Sequence, residues 1–340
     1  MSIVDTNQRM VIFGECMVEL RSTQRESSVS TRDENTDNNL MAKSFAGDTY
    51  NTAVYLKRCL PSSSISYLTA IGADFLSDEL LFKMGEHEIN TDLVFRSSSR
   101  NLGLYMIRND NEGERTFAYW RNQSAATQTL NIMNGAEFAC DWFYLSGISI
   151  AILDDEQRAT LFELISSLKA KGSKIAFDPN YRARLWSSQE DAKYWTGKAY
   201  AEADLAFPGA DDHLMLFGHT NADEIFSYLA DKQIEEIIMK NGAVGVHILR
   251  QQEQCIVPVE RVEQVVDTTA AGDAFNGGYM AARLAGRKPV ESASYGAKVA
   301  ATVITYPGAI ISGDAFTNHI PSLKASGVIP LSFLFYSRPL

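Results

Sequence analysis

The chain has 340 residues, 45% of them hydrophobic, which is enough to bury one large α/β domain. Its formal charge of −11 argues against nucleic acid and acidic membrane surfaces as partners, since both repel an acidic protein, while a small anionic ligand held by local arginines stays open. Cys16, Cys59, Cys140 and Cys255 share no CxxC spacing, no apolar run could span a bilayer and no basic-then-apolar leader is visible, so reduced thiols and a cytoplasmic location are expected.

In chain order, "RMVIFGECMVEL" predicts a buried strand, a turn at Gly14 and a second strand. The polar stretch over 22–40 holds too few apolar residues to fix itself and reads as a surface excursion. "TYNTAVYLKRCL" has helical spacing and stops before Pro61; "ISYLTAIG" predicts a strand and "DELLFKMGEHEI" a helix. "NLGLYMIRND" and "ERTFAYWRN" alternate around "NEG" and predict an aromatic hairpin outside the β/α rhythm. That rhythm resumes with strands "WFYLSGI", "KIAFDPN", "DLAFPG" and "EIIMKNG", separated by helical stretches. A strand pair in "AVGVHILRQQEQCIVPV" and two small-residue helices after Asp273 complete the pattern.

Strands alternating with helices imply a three-layer α/β/α domain around a mainly parallel sheet, with a smaller β element over one edge. A single domain over 10–320 is expected, with lid strands from about 15–22, 38–46 and 100–122 and a tail over 321–340. Ligands in such sheets bind at the carboxyl ends of strands. Gly14, "DPNYR", "PGADD", "KNGA" and "DTTAAGD" after "EQVV" all fall at such ends.

The densest of these stretches is "DTTAAGDAFNGGY", residues 267–279. Ala270, Ala271 and Gly272 have no bulk, so their amides can approach an oxyanion at the start of a helix. An acid in such a nest is awkward unless it has a task. Asp273 could take a proton from a substrate hydroxyl while the amides stabilise charge on a transferred phosphoryl group, or it could merely cap its helix. GxxxxGK[ST] and GxGxxG after the first strand are both absent, which disfavours an ordinary P-loop or dinucleotide fold.

"DTTAAGDAFNGGY" resembles the C-terminal signature of the ribokinase/PfkB carbohydrate kinases, and "FAGDTYNTAVYLKR" their N-terminal signature, with Ala46-Gly47 where Gly-Gly is commoner. The resemblance covers roughly residues 10–315. "GECMVEL", "GERTFAYWRNQSAA", "YLSGISIAIL" and "FDPNYRARLW" are similar to the members of that family that act on a keto-deoxy sugar acid. It implies a ribokinase-like Rossmann-type domain with a β-sheet lid, and transfer of the γ-phosphoryl of ATP to the C6 hydroxyl of 2-keto-3-deoxy-D-gluconate. By the same resemblance, Asp273 is the base and the 270–272 amides form the anion hole. Gly47, Asp48, Asn51, Tyr105 and Tyr119 hold the sugar, and Arg121 and Arg182 take its carboxylate, to which an arginine fork is suited. Asn180, Lys240, Gly242 and Gly245, with Ala270, Ala271 and Gly272, serve ATP. Mg²⁺ is expected with the nucleotide, and a monovalent cation near Asp267.

The family's Asn-x-x-Glu is replaced by Gly209, Ala210, Asp211 and Asp212, so Asp212 is the candidate for the water shell of Mg²⁺. A kinase for a neutral sugar and a sugar-acid sensor without turnover stay open as alternatives. Against the first stands the expectation that two guanidiniums would be left without an anionic partner. Exposed lid edges lead to an expected homodimer through the lid. The tail, with "LSFLF" too short to span a membrane, is expected to dock on the domain or on a neighbouring subunit.

Overall fold

Short apolar runs buried along nearly their whole length make the central strands. Those over Arg9–Phe13, Trp142–Ser146 and Lys174–Asp178 expose or half-expose only their first residue. The computed structural model describes residues 8–22, 41–109 and 115–324. Residues 23–40, 110–114 and those beyond 324, each a subject of expectation above, lie outside the described residues.

In chain order the strands are β1 (Arg9–Phe13), β2 (Met17–Ser22), β3 (Met41–Ala46), β4 (Ser64–Ile71), β5 (Val94–Arg96), β6 (Leu104–Asn109) and β7 (Arg115–Trp120). They continue as β8 (Trp142–Ser146), β9 (Lys174–Asp178), β10 (Leu205–Ala206), β11 (Glu236–Asn241), β12 (Gly245–Arg250) and β13 (Glu253–Val257). Nine of them form one sheet in the order β13-β12-β11-β10-β9-β8-β1-β4-β5. It is parallel from β11 to β5, and the expected strand pair, β12 and β13, closes one edge in antiparallel sense.

Alternation along β1 divides the core. Met10 and Ile12 pack with the helices Asp48–Cys59, Ala271–Leu284 and Pro289–Val303. Val11 and Phe13 face the helices Asp155–Ala170, Gln189–Glu202 and Ala222–Leu229. The three-layer α/β/α arrangement follows.

The remaining four strands form a second sheet, β3-β2-β6-β7. The aromatic hairpin is present as β6 and β7, with Tyr105 opposite Tyr119. It adds to β2 in parallel register, and β3 pairs antiparallel on the other side. Among the described residues, no helix is long and apolar enough to cross a membrane.

Some boundaries differ from the sequence reading. "WFYLSGI" stops as a strand at Ser146, whose side chain caps a short helix over Gly147–Ala151. "DLAFPG" yields only the two-residue β10, and "EQVV" forms no strand. Val265 and Val266 are about half exposed there, and the Val266 and Asp267 N–H groups both donate to the Ile304 carbonyl. At residues 321–324 the Leu323 N–H donates to Cys59 O at 2.6 Å and Tyr295 OH to Pro321 O at 2.9 Å, while "LSFLF" lies outside the described residues.

Candidate active site

The first wall of the site is the start of the helix Asp48–Cys59. A Cβ on Gly47 would stand 2.1 Å from the Glu15 carbonyl oxygen, so glycine is needed for β2's entry loop to lie this close. Asp48 and Asn51, one turn apart, share a helix face. The helix Ala271–Leu284 crosses beside it, with Gly277 against the Thr52 carbonyl and the Leu56 amide. That contact brings together groups 222 residues apart, and Asn51 Nδ2 donates to Asp273 Oδ2 at 2.9 Å. Ala270, the N-cap of the second helix, makes no side-chain cap bond. A 14-residue helix thus opens toward the cleft with orphan amides and a partial positive charge. The Ala271 N–H donates to Thr268 O at 3.2 Å, a long bond within the turn.

The carboxyl ends of β9 and β11 supply the floor. Lys240 Nζ donates to Asp178 Oδ2 at 2.8 Å and lies near Gly272, where an added Cβ would be 3.5 Å away. Asn276 Nδ2 donates to the same Asp178 oxygen at 2.6 Å and to Tyr144 OH at 3.1 Å. Asn180, with φ 34, sends its side-chain amide to Asp48 Oδ2 at 2.9 Å.

Acids dominate this floor, and they perturb one another. Burial, followed by the charge of Asp48, pushes the Asp273 carboxyl well above the ordinary carboxylate range; the Asn51 hydrogen bond opposes the shift. Burial and then Asp178 raise Asp212 to about 6, although its Oδ1 accepts the Tyr181 N–H at 3.1 Å. A carboxylate whose proton affinity is raised, beside an uncapped helix start, has the character of a general base.

The lid closes over these groups. Tyr105 stacks on Tyr119, with ring centroids 5.6 Å apart, and its hydroxyl donates to the buried Glu19 carboxylate. Arg121, just past β7, is buried and paired with Glu15, whose side chain is 1% exposed. Arg184, in the turn after β9, lies over the Tyr119 ring with its guanidinium carbon 4.2 Å from the centroid. Between lid and floor is a cavity of about 460 Å³.

Nine of the residues singled out in the sequence line that cavity: Gly47, Asp48, Asn51, Tyr105, Tyr119, Arg121, Asn180, Arg182 and Asp273. Asp212, 3.7 Å from Arg182, and Ala270, Ala271, Gly272 and Lys240, which stand next to or near the lining residues Thr269 and Asp273, are themselves outside the lining. Gly242 and Gly245 are not in its lining. They take positive φ values of 49° and 128° and shape the turn between β11 and β12. Asp267 ties its loop down, its carboxylate accepting the N–H groups of Thr269 at 2.9 Å and Gly308 at 2.8 Å. Among the described residues, no group of three or more His, Cys, Asp or Glu gathers for a metal ion.

One argument from the sequence needs correction. Arg121 and Arg182 are not left without anionic partners when no ligand is present. Arg121 has Glu15, and Arg182 is about half exposed beside Asp212. Glu15, Arg184, Asp178 and Asn276 belong to the site and had not been singled out. Their partners are Arg121, Tyr119, Lys240 and Tyr144, all distant in sequence, so no local pattern marked them.

A cleft with a raised carboxyl, an uncapped helix start and a covering sheet has the elements that transfer of an anionic group to a hydroxyl requires. The pfkB family carbohydrate kinase model matches residues 7–315, and the chain belongs to that family. It is 38% identical over 322 residues to the 2-dehydro-3-deoxygluconokinase of Dickeya dadantii (strain 3937), covering 91% of this chain and 99% of that one. It is 35% identical over 319 residues to the enzyme of the same name from Escherichia coli (strain K12), covering 91% and 99%. A fructokinase from Vibrio cholerae O395, solved with fructose, ADP and calcium, superposes with a TM-score of 0.78 at 22% identity, covering 93% of this chain and all of that one. The likeness to that structure establishes the ribokinase-like fold.

Proposed function

We propose that this chain is an ATP-dependent 2-dehydro-3-deoxygluconokinase, phosphorylating 2-keto-3-deoxy-D-gluconate at its C6 hydroxyl. The observation that carries the reading is the placement of Asp273, at the uncapped start of its helix and in the wall of a lid-covered cavity of sugar-acid size. Asp273 accepts the C6 hydroxyl proton as the C6 oxygen bonds to the γ-phosphorus, and the bond from that phosphorus to the ADP oxygen breaks. Asn51 orients Asp273, while the amides of Ala270, Ala271 and Gly272 meet the charge on the transferred group. Gly47, Asp48, Tyr105, Tyr119, Arg121 and Arg182 line the cavity and frame the bound sugar acid.

Asn180, Lys240, Gly242 and Gly245 are assigned to the nucleotide side. Lys240, tied to Asp178, is placed to accompany phosphates arriving over Gly272. Mg²⁺ arrives with ATP and offsets phosphate charge. A single buried acid such as Asp212 suits a water-mediated contact to it better than a resident metal site. A monovalent cation beside Asp267 would brace the anion loop.

Among the described residues the outer strands of the lid, β3 and β7, pair with no further strand, and Trp120 at the end of β7 is 58% exposed. A homodimer covering the lid follows, in a cytoplasmic protein; a monomer mass in light scattering would exclude the dimer. The test of the reaction is product identity. Phosphorus NMR after incubation with ATP, Mg²⁺ and the keto acid should show a primary phosphate ester at C6; ester at another position, or ATP hydrolysis alone, would reject the reading.

A further inference from the structure

Three arginines reach the cavity, and they differ in what their charge already meets. Arg121 is matched by the buried Glu15 carboxylate. Arg182 lies 3.7 Å from Asp212 Oδ1 and donates to the Tyr181 carbonyl at 2.8 Å. Lys240, the remaining cation at the floor, is matched by Asp178. Arg184 makes neither an ion pair nor a hydrogen bond among the described residues. What it makes is the stacking contact over Tyr119, at 4.2 Å. Stacking engages the face of a guanidinium and leaves its in-plane N–H donors unspent.

The charge balance sharpens the point. Asp48 and Asp273 also line the cavity, so a carboxylate ligand enters a field already rich in negative charge. It needs a cation not yet committed. We propose that Arg184 is a specificity-determining residue that reads the carboxylate of the sugar acid, an inference that rests on the kinase function proposed above. Tyr119 belongs to the lid strand β7, whereas Arg184 belongs to the body, in the turn after β9. The stack therefore pre-orients the fork and couples acid binding to the seating of the lid.

Arg184→Gln and Arg184→Lys, purified as full-length proteins, test this with two probes, 2-keto-3-deoxygluconate and its neutral carboxamide. Arg184→Gln should raise the KM for the acid about 10- to 100-fold, the range for losing charge-assisted hydrogen bonds. The inhibition constant of the carboxamide and the KM for ATP should change far less, so the preference for acid over amide falls. Arg184→Lys should recover only part, because an ammonium lacks the stacked fork. An unchanged KM for the acid, or equal losses for acid and amide, would overturn the role of Arg184 alone. A wild-type enzyme with no turnover on the acid would overturn both this inference and the function it rests on.

Discussion

Replacing Asp273 by asparagine separates catalysis from architecture. The side chain is buried and shape-constrained, and Asn51 Nδ2 donates to its Oδ2 at 2.9 Å. An asparagine oxygen can accept the same bond, so the contact between the two helices survives. What is lost is the ability to take a proton. A positioned general base contributes about 10²- to 10⁴-fold, or about 3–5.5 kcal/mol of barrier. We therefore expect kcat to fall by about that factor, with KM for both substrates within a few-fold of wild type. Stability should move the other way. The folded carboxyl is raised, so the folded state binds its proton more tightly than the unfolded chain does. Stability is lost as pH climbs from the ordinary carboxylate value through the folded one. Asparagine removes that loss, and its Tm at pH 8 should equal or exceed the wild-type value. Steady-state kinetics with thermal melts at pH 5 and pH 8 provide the assay. Turnover within tenfold of wild type would refute the base assignment, and a clear fall in Tm at pH 8 would refute the electrostatic argument.

Three further outcomes follow from the same geometry. The acidic limb of kcat/KM against pH should fall above the ordinary aspartate range, with activity lost as pH drops and Asp273 is protonated; a limb near 4 would contradict the raised carboxyl. Glu15→Gln leaves the buried Arg121 guanidinium uncompensated and should cost about 3–5 kcal/mol in denaturant unfolding, whereas a loss below 1 kcal/mol would mean the pair is effectively solvated. Gly277→Ala drives a Cβ to 2.7 Å from the Thr52 carbonyl and should destabilise by about 1–3 kcal/mol while lowering kcat, because the Asn51–Asp273 alignment depends on that crossing; full activity with reduced stability would uncouple the two.

The sheet was readable wherever burial leaves a local mark. β1, β4, β8, β9 and β11 are apolar runs between turn signals, and the lid hairpin alternates because one of its faces is covered. "EQVV" shows the limit: its two valines favour a strand, yet they stay half exposed because the chain there meets the Ile304 carbonyl instead of a strand. Within the site, Asp273 stood out as an acid among small residues at a helix start. Glu15 did not, since an acid beside a turn looks solvated until Arg121 arrives from the lid. Arg184 likewise acquires meaning only through Tyr119, and Asp178 through Lys240 and Asn276. These pairings depend on long-range placement, which no local pattern encodes.

The central claim, that the cleft phosphorylates a keto-deoxy sugar acid, is tested most directly by one comparison. ATP-dependent ADP release would be measured with 2-keto-3-deoxygluconate, its galactonate-derived epimer, fructose, ribose and gluconate, each with Mg²⁺. Turnover confined to the keto-deoxy acids is the expected result. Higher kcat/KM on fructose or ribose would contradict the substrate assignment while leaving the fold and Asp273 in place, and no turnover on any of them would contradict the kinase itself.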